Sequence, residues 1–201
     1  MVERLLRCVG GLALFGLGIA MFVRSELGLG PWDVFHEGLA DRLDLSIGSV
    51  IVGVGLLLLP LVLLLRVRIG LGTALNTLEI GLTADLWLWL IPDVDAPAVR
   101  ALLVVGGLLA IGVGSGLYIG AGLGPGPRDG IMVGLAARGV SIRGARTGIE
   151  LAVLVAGLLL GGTAGIGTIA FALGIGPMVQ LGLTHLAMSP SPQLPETPTP
   201  G

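Results

Sequence analysis

Six stretches of this chain are apolar enough to be read as membrane crossings, and that excludes most folds at once. A helix needs about 20 mainly apolar residues to cross the hydrocarbon core. The stretches run at about 5–23, 46–65, 70–91, 99–120, 147–161 and 166–187, the fifth being the shortest. Composition agrees. The chain is 54% hydrophobic and 12% charged, with a mean hydropathy of +0.99, whereas a soluble domain carries about 25% charged residues. Glycine supplies 36 of the 201 residues, and small residues in membrane helices let backbones approach closely. The expected class is an all-α, polytopic transmembrane bundle in contact with the lipid bilayer. Its Gly-rich helix faces also leave room for oligomer contacts.

The same composition closes off other classes. All 11 basic residues are Arg, too few for the basic patch that nucleic acid requires. Cys8, the single cysteine, has no internal disulfide partner, and no Cys/His spacing reads as zinc. There is no nucleophile triad, metal-protease motif or phosphate loop: "GLGPGPRDG" lacks the Lys-Ser/Thr ending that a P-loop needs. No enzyme, metal or cofactor is expected. The amino terminus resembles a signal peptide but lacks a small-residue cleavage site, so it reads as a retained first helix. Residues 189–201, "SPSPQLPETPTPG", read as a disordered Pro/Ser/Thr-rich tail outside a single membrane domain, 1–188.

Within that domain the sequence repeats at an offset of about 95. "GGLALFGLG" at 10–18 matches "GGLLAIGVG" at 106–114, and Gly-Leu-Gly-Pro occurs at 28 and again at 122. Ser46-Ile47 aligns with Ser141-Ile142, and Gly72-Thr73 with Gly167-Thr168. The two units cover about 5–92 and 99–187. Each reads as a span, a Gly-Pro break, a short helix and two further spans, the short helices being about 31–43 and 127–139. The breaks are Gly28, Gly30 and Pro31 in one unit and Gly122, Gly124 and Pro125 in the other.

Two arrangements follow. If the short helices do not cross, there are six spans plus two re-entrant or interfacial helices, and the units are inverted. If they cross, eight helices form two parallel four-helix repeats. Arg bias on the cytoplasmic side favours inversion. That arrangement places Arg4, Arg7, Arg66, Arg68, Arg128, Arg138, Arg143 and Arg146 inside against Arg24, Arg42 and Arg100 outside. The parallel one keeps Arg4, Arg7, Arg42, Arg100, Arg138, Arg143 and Arg146 inside against the other four. Both put the amino terminus in the cytoplasm. The first short helix carries Asp33, His36, Glu37, Asp41 and Asp44 along one face, which reads as an interfacial helix with a solvated polar side.

These phrases carry a family resemblance. "GLGPWDVFHEGL" (28–39), "GTALNTLEIG" (72–81), "GSGLYIGAGLGPGPRDG" (114–130), "SIRGARTGIEL" (141–151) and "GTIAFALGIGP" (168–177) resemble the YczE-like family of bacterial integral membrane proteins, relatives of the YitT-type membrane domain. The resemblance implies a multi-pass protein of the bacterial inner membrane and little about activity.

Function has to be sought among the polar residues. Pro at a first helical position starts a helix, and the free amides there hold partial positive charge. Paired interruptions in duplicated halves are the best sequence pointer to a transporter's midplane site. Asp33 and Asp129 stand in the first turns after the breaks, where each complements its helix start and is also a candidate ligand for a cation or proton. Asn76 and Glu79 fall inside the third span, where ionisable groups face a cavity or a partner. Glu150 lies four residues after Arg146, the spacing of a helix-surface ion pair. Ser115 and Tyr118 read as interhelical hydrogen-bonding groups, and Asp85 as reaching toward the headgroups. The expected function is a small-molecule or ion transporter with its site between the two breaks. The alternative is an accessory or scaffold protein that binds a partner and has a filled interior.

Overall fold

Hydrocarbon cannot satisfy open backbone groups, so apolar segments close their hydrogen bonds within helices. The computed structural model describes residues 1–188, and the tail assigned to 189–201 lies outside the described residues. Among the described residues there are eight helices and no strand: α1 Val2–Ser25, α2 Pro31–Leu43, α3 Ile47–Leu64, α4 Leu71–Leu90, α5 Pro97–Gly120, α6 Pro127–Ala136, α7 Ile142–Leu160 and α8 Ile166–Leu186.

Four of them, α1, α3, α5 and α8, are long and apolar enough to cross a membrane. Six stretches are apolar enough in the sequence to be expected as crossings. α4 and α7 have comparable length, 20 and 19 residues. However, Asn76, Glu79 and Asp85 on α4, and Arg143, Arg146 and Glu150 on α7, lower their apolarity. α7 begins at Ile142 rather than near 147, because Ser141 caps it by accepting the Gly144 N–H at 3.1 Å. With 13 and 10 residues, α2 and α6 are about 20 Å and 15 Å long at 1.5 Å per residue, short of a bilayer core of about 30 Å.

Small residues bring the long helices together. α1 and α5 run antiparallel. A Cβ on Gly11 would lie 2.6 Å from the Gly114 carbonyl oxygen, and one on Gly18 would lie 2.8 Å from that of Gly107. Gly112, Gly116 and Gly120 of α5 lie against Met178, Gly182 and Ala187 of α8, so those two helices run parallel. α4 packs on α1, with Gly16 at Thr83 and Ala84.

The breaks are tied down by two matching hydrogen bonds. The Gly72 N–H donates to the Leu123 carbonyl at 2.8 Å, and the Gly167 N–H to the Leu27 carbonyl at 2.7 Å. The chain then turns at Gly28 (φ 105°) and Gly124 (φ 122°), left-handed backbone that a side chain disfavours. The first residue of α2 is Pro31, as expected. The first of α6 is Pro127, also as expected, because the turn sits at Gly124 and Gly126 takes the N-cap.

α2 corrects another expectation. Its polar side is not uniformly solvated: Asp33 is 4% exposed and His36 is fully buried, while Asp41 and Asp44 are exposed. The first turns enter the bundle because the break before Pro31 turns them inward. Gly38 packs against Gly157, Leu160 and Gly162, so α7 covers the flank beside that polar side, while Asp33 faces the cavity and Arg128 of α6 lies against His36.

Candidate functional site

The amino ends of α2 and α6 open onto one cavity of about 140 Å³, to whose wall all eight helices contribute residues. Both helices begin at Pro, whose missing N–H is one of the unpaired donors at a helix start anyway. Their N-caps, Gly30 and Gly126, offer no side-chain cap. Glycine is needed there because neighbours press close. A Cβ on Gly30 would meet the Phe171 ring at 3.0 Å, and one on Gly126 would meet the Asn76 amide at 2.8 Å. Each amino end carries roughly half a positive charge, so two such ends converge on one space.

Charged side chains surround them. Asp33 and Asp129, each the third residue of its helix, both line the cavity. The Tyr118 hydroxyl donates to Asp129 Oδ2 at 2.5 Å. Asp33 Oδ1 lies 3.3 Å from His36 Nδ1. Arg128 stacks over the Trp32 ring, its Cζ 4.8 Å from the centroid, a cation–π arrangement. One of its Nη atoms lies 3.4 Å from both ring nitrogens of His36. Burial, with Arg128 adding to it, pushes His36 down to about 4, so the imidazole is neutral and offers an acceptor. Among the described residues no carboxylate forms an ion pair with Arg128. On α7, Arg146 Nε donates to Glu150 Oε1 at 2.9 Å, and both residues face the cavity. Phe15, Ile51, Ile111, Phe171, Ile175 and Val179 supply apolar wall.

Of the residues singled out from sequence, Asp33, Asp129, Asn76, Glu150, Gly30 and Pro31 meet here. Gly28, Gly122, Gly124 and Pro125 shape the approach without lining the space. Glu79 also stands outside the lining. The inward arc of α4 runs through Asn76, Thr77 and Ile80, and Glu79 falls about 60° beyond Asn76 at 100° per residue. Glu150, read as half of a surface pair, faces inward instead, and its partner Arg146 comes with it. Asp85 does not extend toward headgroups: it accepts from Ser46 Oγ at 2.5 Å and from the Gly48 N–H at 2.8 Å. Tyr118 and Ser115 line the cavity as well as packing helices.

The sequence offers no sign of Trp32 at the site; it places Arg128 and Arg146 at the cytoplasmic side and reads Arg146 only as half of a helix-surface pair, whereas all three line the cavity. A signal for Arg128 existed, since a cation in the first turn opposes the helix dipole and so needs a reason beyond helix stability. Glu, Asp, His and Cys side chains form no metal-holding group among the described residues.

Comparison with known proteins places the chain among membrane proteins. Residues 2–183 match the family described as "Family of unknown function (DUF6198)". An uncharacterized protein of Haemophilus influenzae is 36% identical over 180 residues, 89% of this chain and 83% of that protein. The uncharacterized membrane protein YczE of Bacillus subtilis is 31% identical over 177 residues, 86% of this chain and 82% of that protein. The uncharacterized protein YyaS of the same organism is 31% identical over 166 residues, 79% of this chain and 82% of that protein. No solved structure matches.

Proposed function

This chain belongs to DUF6198, a membrane-protein family of unknown function, and from that premise we propose that it is a small-molecule or ion transporter-like protein of the bacterial inner membrane. The observation that carries this reading is the shared cavity. Two helix amino ends and five charged side chains (Asp33, Arg128, Asp129, Arg146 and Glu150) face one internal space. Charges in a membrane interior are expensive to maintain and mark pathways or binding sites. An accessory protein acting through its outer surface has no use for such a space, so the cavity favours transport over a scaffold role.

In this reading α4 and α7 cross with the four apolar helices, their polar residues sheltered by the cavity, and α2 and α6 do not cross. Six crossings then form two inverted repeats with the amino terminus in the cytoplasm. The Arg distribution supports that orientation even with Arg128 and Arg146, which line the cavity, left out of the count: Arg4, Arg7, Arg66, Arg68, Arg138 and Arg143 inside against Arg24, Arg42 and Arg100 outside. The packing of α1 and α5 supports the inversion: the Gly11–Gly114 and Gly18–Gly107 contacts exchange when residues 96 apart are swapped. So do the Gly72–Leu123 and Gly167–Leu27 hydrogen bonds, at offsets of 95 and 96.

The test is water access to Ser115. In a Cys8→Ala background, Ser115→Cys should react with a membrane-impermeant maleimide in either right-side-out or inside-out vesicles. A reporter at Leu109, which is 51% exposed on the outer face of α5, should stay unlabelled in lipid. Failure of Ser115→Cys to react from either side would remove the transporter reading.

A further inference from the structure

Resting on that reading of the cavity, we infer that the site takes a small zwitterion, with its carboxylate held by Arg128 at the helix amino ends and its ammonium by Asp33 and Asp129. Arg128 is the starting point. A guanidinium carries five N–H donors in a planar fork; Arg128 contacts the Trp32 face and the His36 ring, and although it feels the charges of Asp33 and Asp129, among the described residues no carboxylate forms an ion pair with it. It also sits in the first turn of α6, beside that helix's positive end, with the positive end of α2 on the same cavity. These groups together form a cradle for a carboxylate, which a guanidinium binds bidentately and helix amides bind through the dipole.

The remaining charges decide against a simple anion. Arg146 and Glu150 neutralise each other at 2.9 Å. What is left is one guanidinium and two half-charges from the helix ends, set against the carboxylates of Asp33 and Asp129. The site is close to neutral, with its positive and negative groups not joined in an ion pair. A lone anion or cation would add an uncompensated charge to a low-dielectric interior, which is strongly unfavourable. A zwitterion adds none and offers a partner to each sign. Size limits the class further. The cavity, at about 140 Å³, is close to one of about 150 Å³ that admits benzene, so a molecule of amino-acid size with a short side chain fits.

Protection of Ser115→Cys from the impermeant maleimide gives the readout. The probes are alanine, propionate (the same skeleton without the ammonium) and ethylamine (without the carboxylate). Alanine should slow labelling at concentrations where neither single-charge analogue does. Arg128→Gln should raise the alanine concentration needed by about thirtyfold or more, the effect of truncating one partner of a buried charge pair. Arg128→Lys should recover part of the loss, which a merely structural role would not predict from charge alone. Asp33→Asn supplies a second arm should Arg128→Gln fail to fold, and it should weaken protection by alanine. Equal protection by propionate or ethylamine would overturn the zwitterion, as would labelling that alanine does not slow. In either case Ser115→Cys is still labelled, so the cavity reading survives; a Ser115→Cys that is not labelled from either side sinks that reading instead.

Discussion

The helix pair α3–α4 is closed, and the pair α7–α8, 95 residues further on, is not. Gly48 and Gly81 let α3 and α4 touch backbone to backbone, so that a Cβ on either would run into the other. Asp85 then fastens the seam by capping the start of α3 through Ser46 and Gly48. At the matching positions of the second pair stand Arg143, Gly176 and Gln180. A guanidinium stem cannot sit between two helix backbones in contact, and Gly176 has nothing within 4 Å of where its Cβ would be. α7 instead packs on α2 and α6. Gly157 meets the backbone of Val34 and Phe35, and Arg42 donates to the Leu159 and Leu160 carbonyls. Only Ala145 and Gly157 of α7 are buried. Arg143 and Gln180 thus stand where Gly48 and Asp85 close the first pair, and the gap between α7 and α8 lies beside the cavity wall formed by Arg146, Glu150, Ile175 and Val179.

The largest expected effect breaks the closed seam. Gly48→Leu places a side chain where the Gly81 carbonyl and Asp85 already stand, overpacking that costs about 1–3 kcal/mol or more. Gly176→Leu has open space and should leave stability nearly unchanged. Thermal unfolding in one detergent compares them, and equal losses would erase the distinction between the pairs. The next effect is the latch. Asp85→Ala leaves the Gly48 N–H without its acceptor, a loss of about 1–3 kcal/mol, whereas Gln180→Ala should fall within about 0.5 kcal/mol of wild type. A Gln180 variant as destabilised as the Asp85 variant would mean that α7 and α8 are latched after all. The smallest effect concerns the ion pair inside α7. A double-mutant cycle on Arg146→Gln and Glu150→Gln should return a coupling of about 0.3–0.5 kcal/mol, because both partners ride on one helix and neither joins it to α8. A coupling of several kcal/mol would show that the pair is holding helices together.

Much of the fold was legible because it depends on local chemistry. Apolar runs set where helices form, and Pro31 set where α2 begins. Ser46 and Ser141 are both helix caps. The carboxylates Asp33 and Asp129 could be picked out because breaks and first turns are local features. Partner choice was not legible. Asn76 and Glu79 are three residues apart on α4, and the sequence cannot say which of two adjacent faces looks inward. Arg146 and Glu150 have the spacing of a surface pair, and only the placement of α7 makes them part of the cavity wall.

The sequence alone determined an all-helical membrane protein with two Gly-Pro breaks, each followed by a carboxylate in a helix's first turn. Hydrogen bonding in hydrocarbon and the fixed geometry of proline leave little freedom there. Tertiary structure decided that the two helix starts face one another, that Arg128 of one stacks on Trp32 of the other, and that one helix pair closes while its counterpart stays parted. Those outcomes depend on which small residues meet across a helix interface. Contact between helices is set by steric fit over distances the chain's local pattern does not encode.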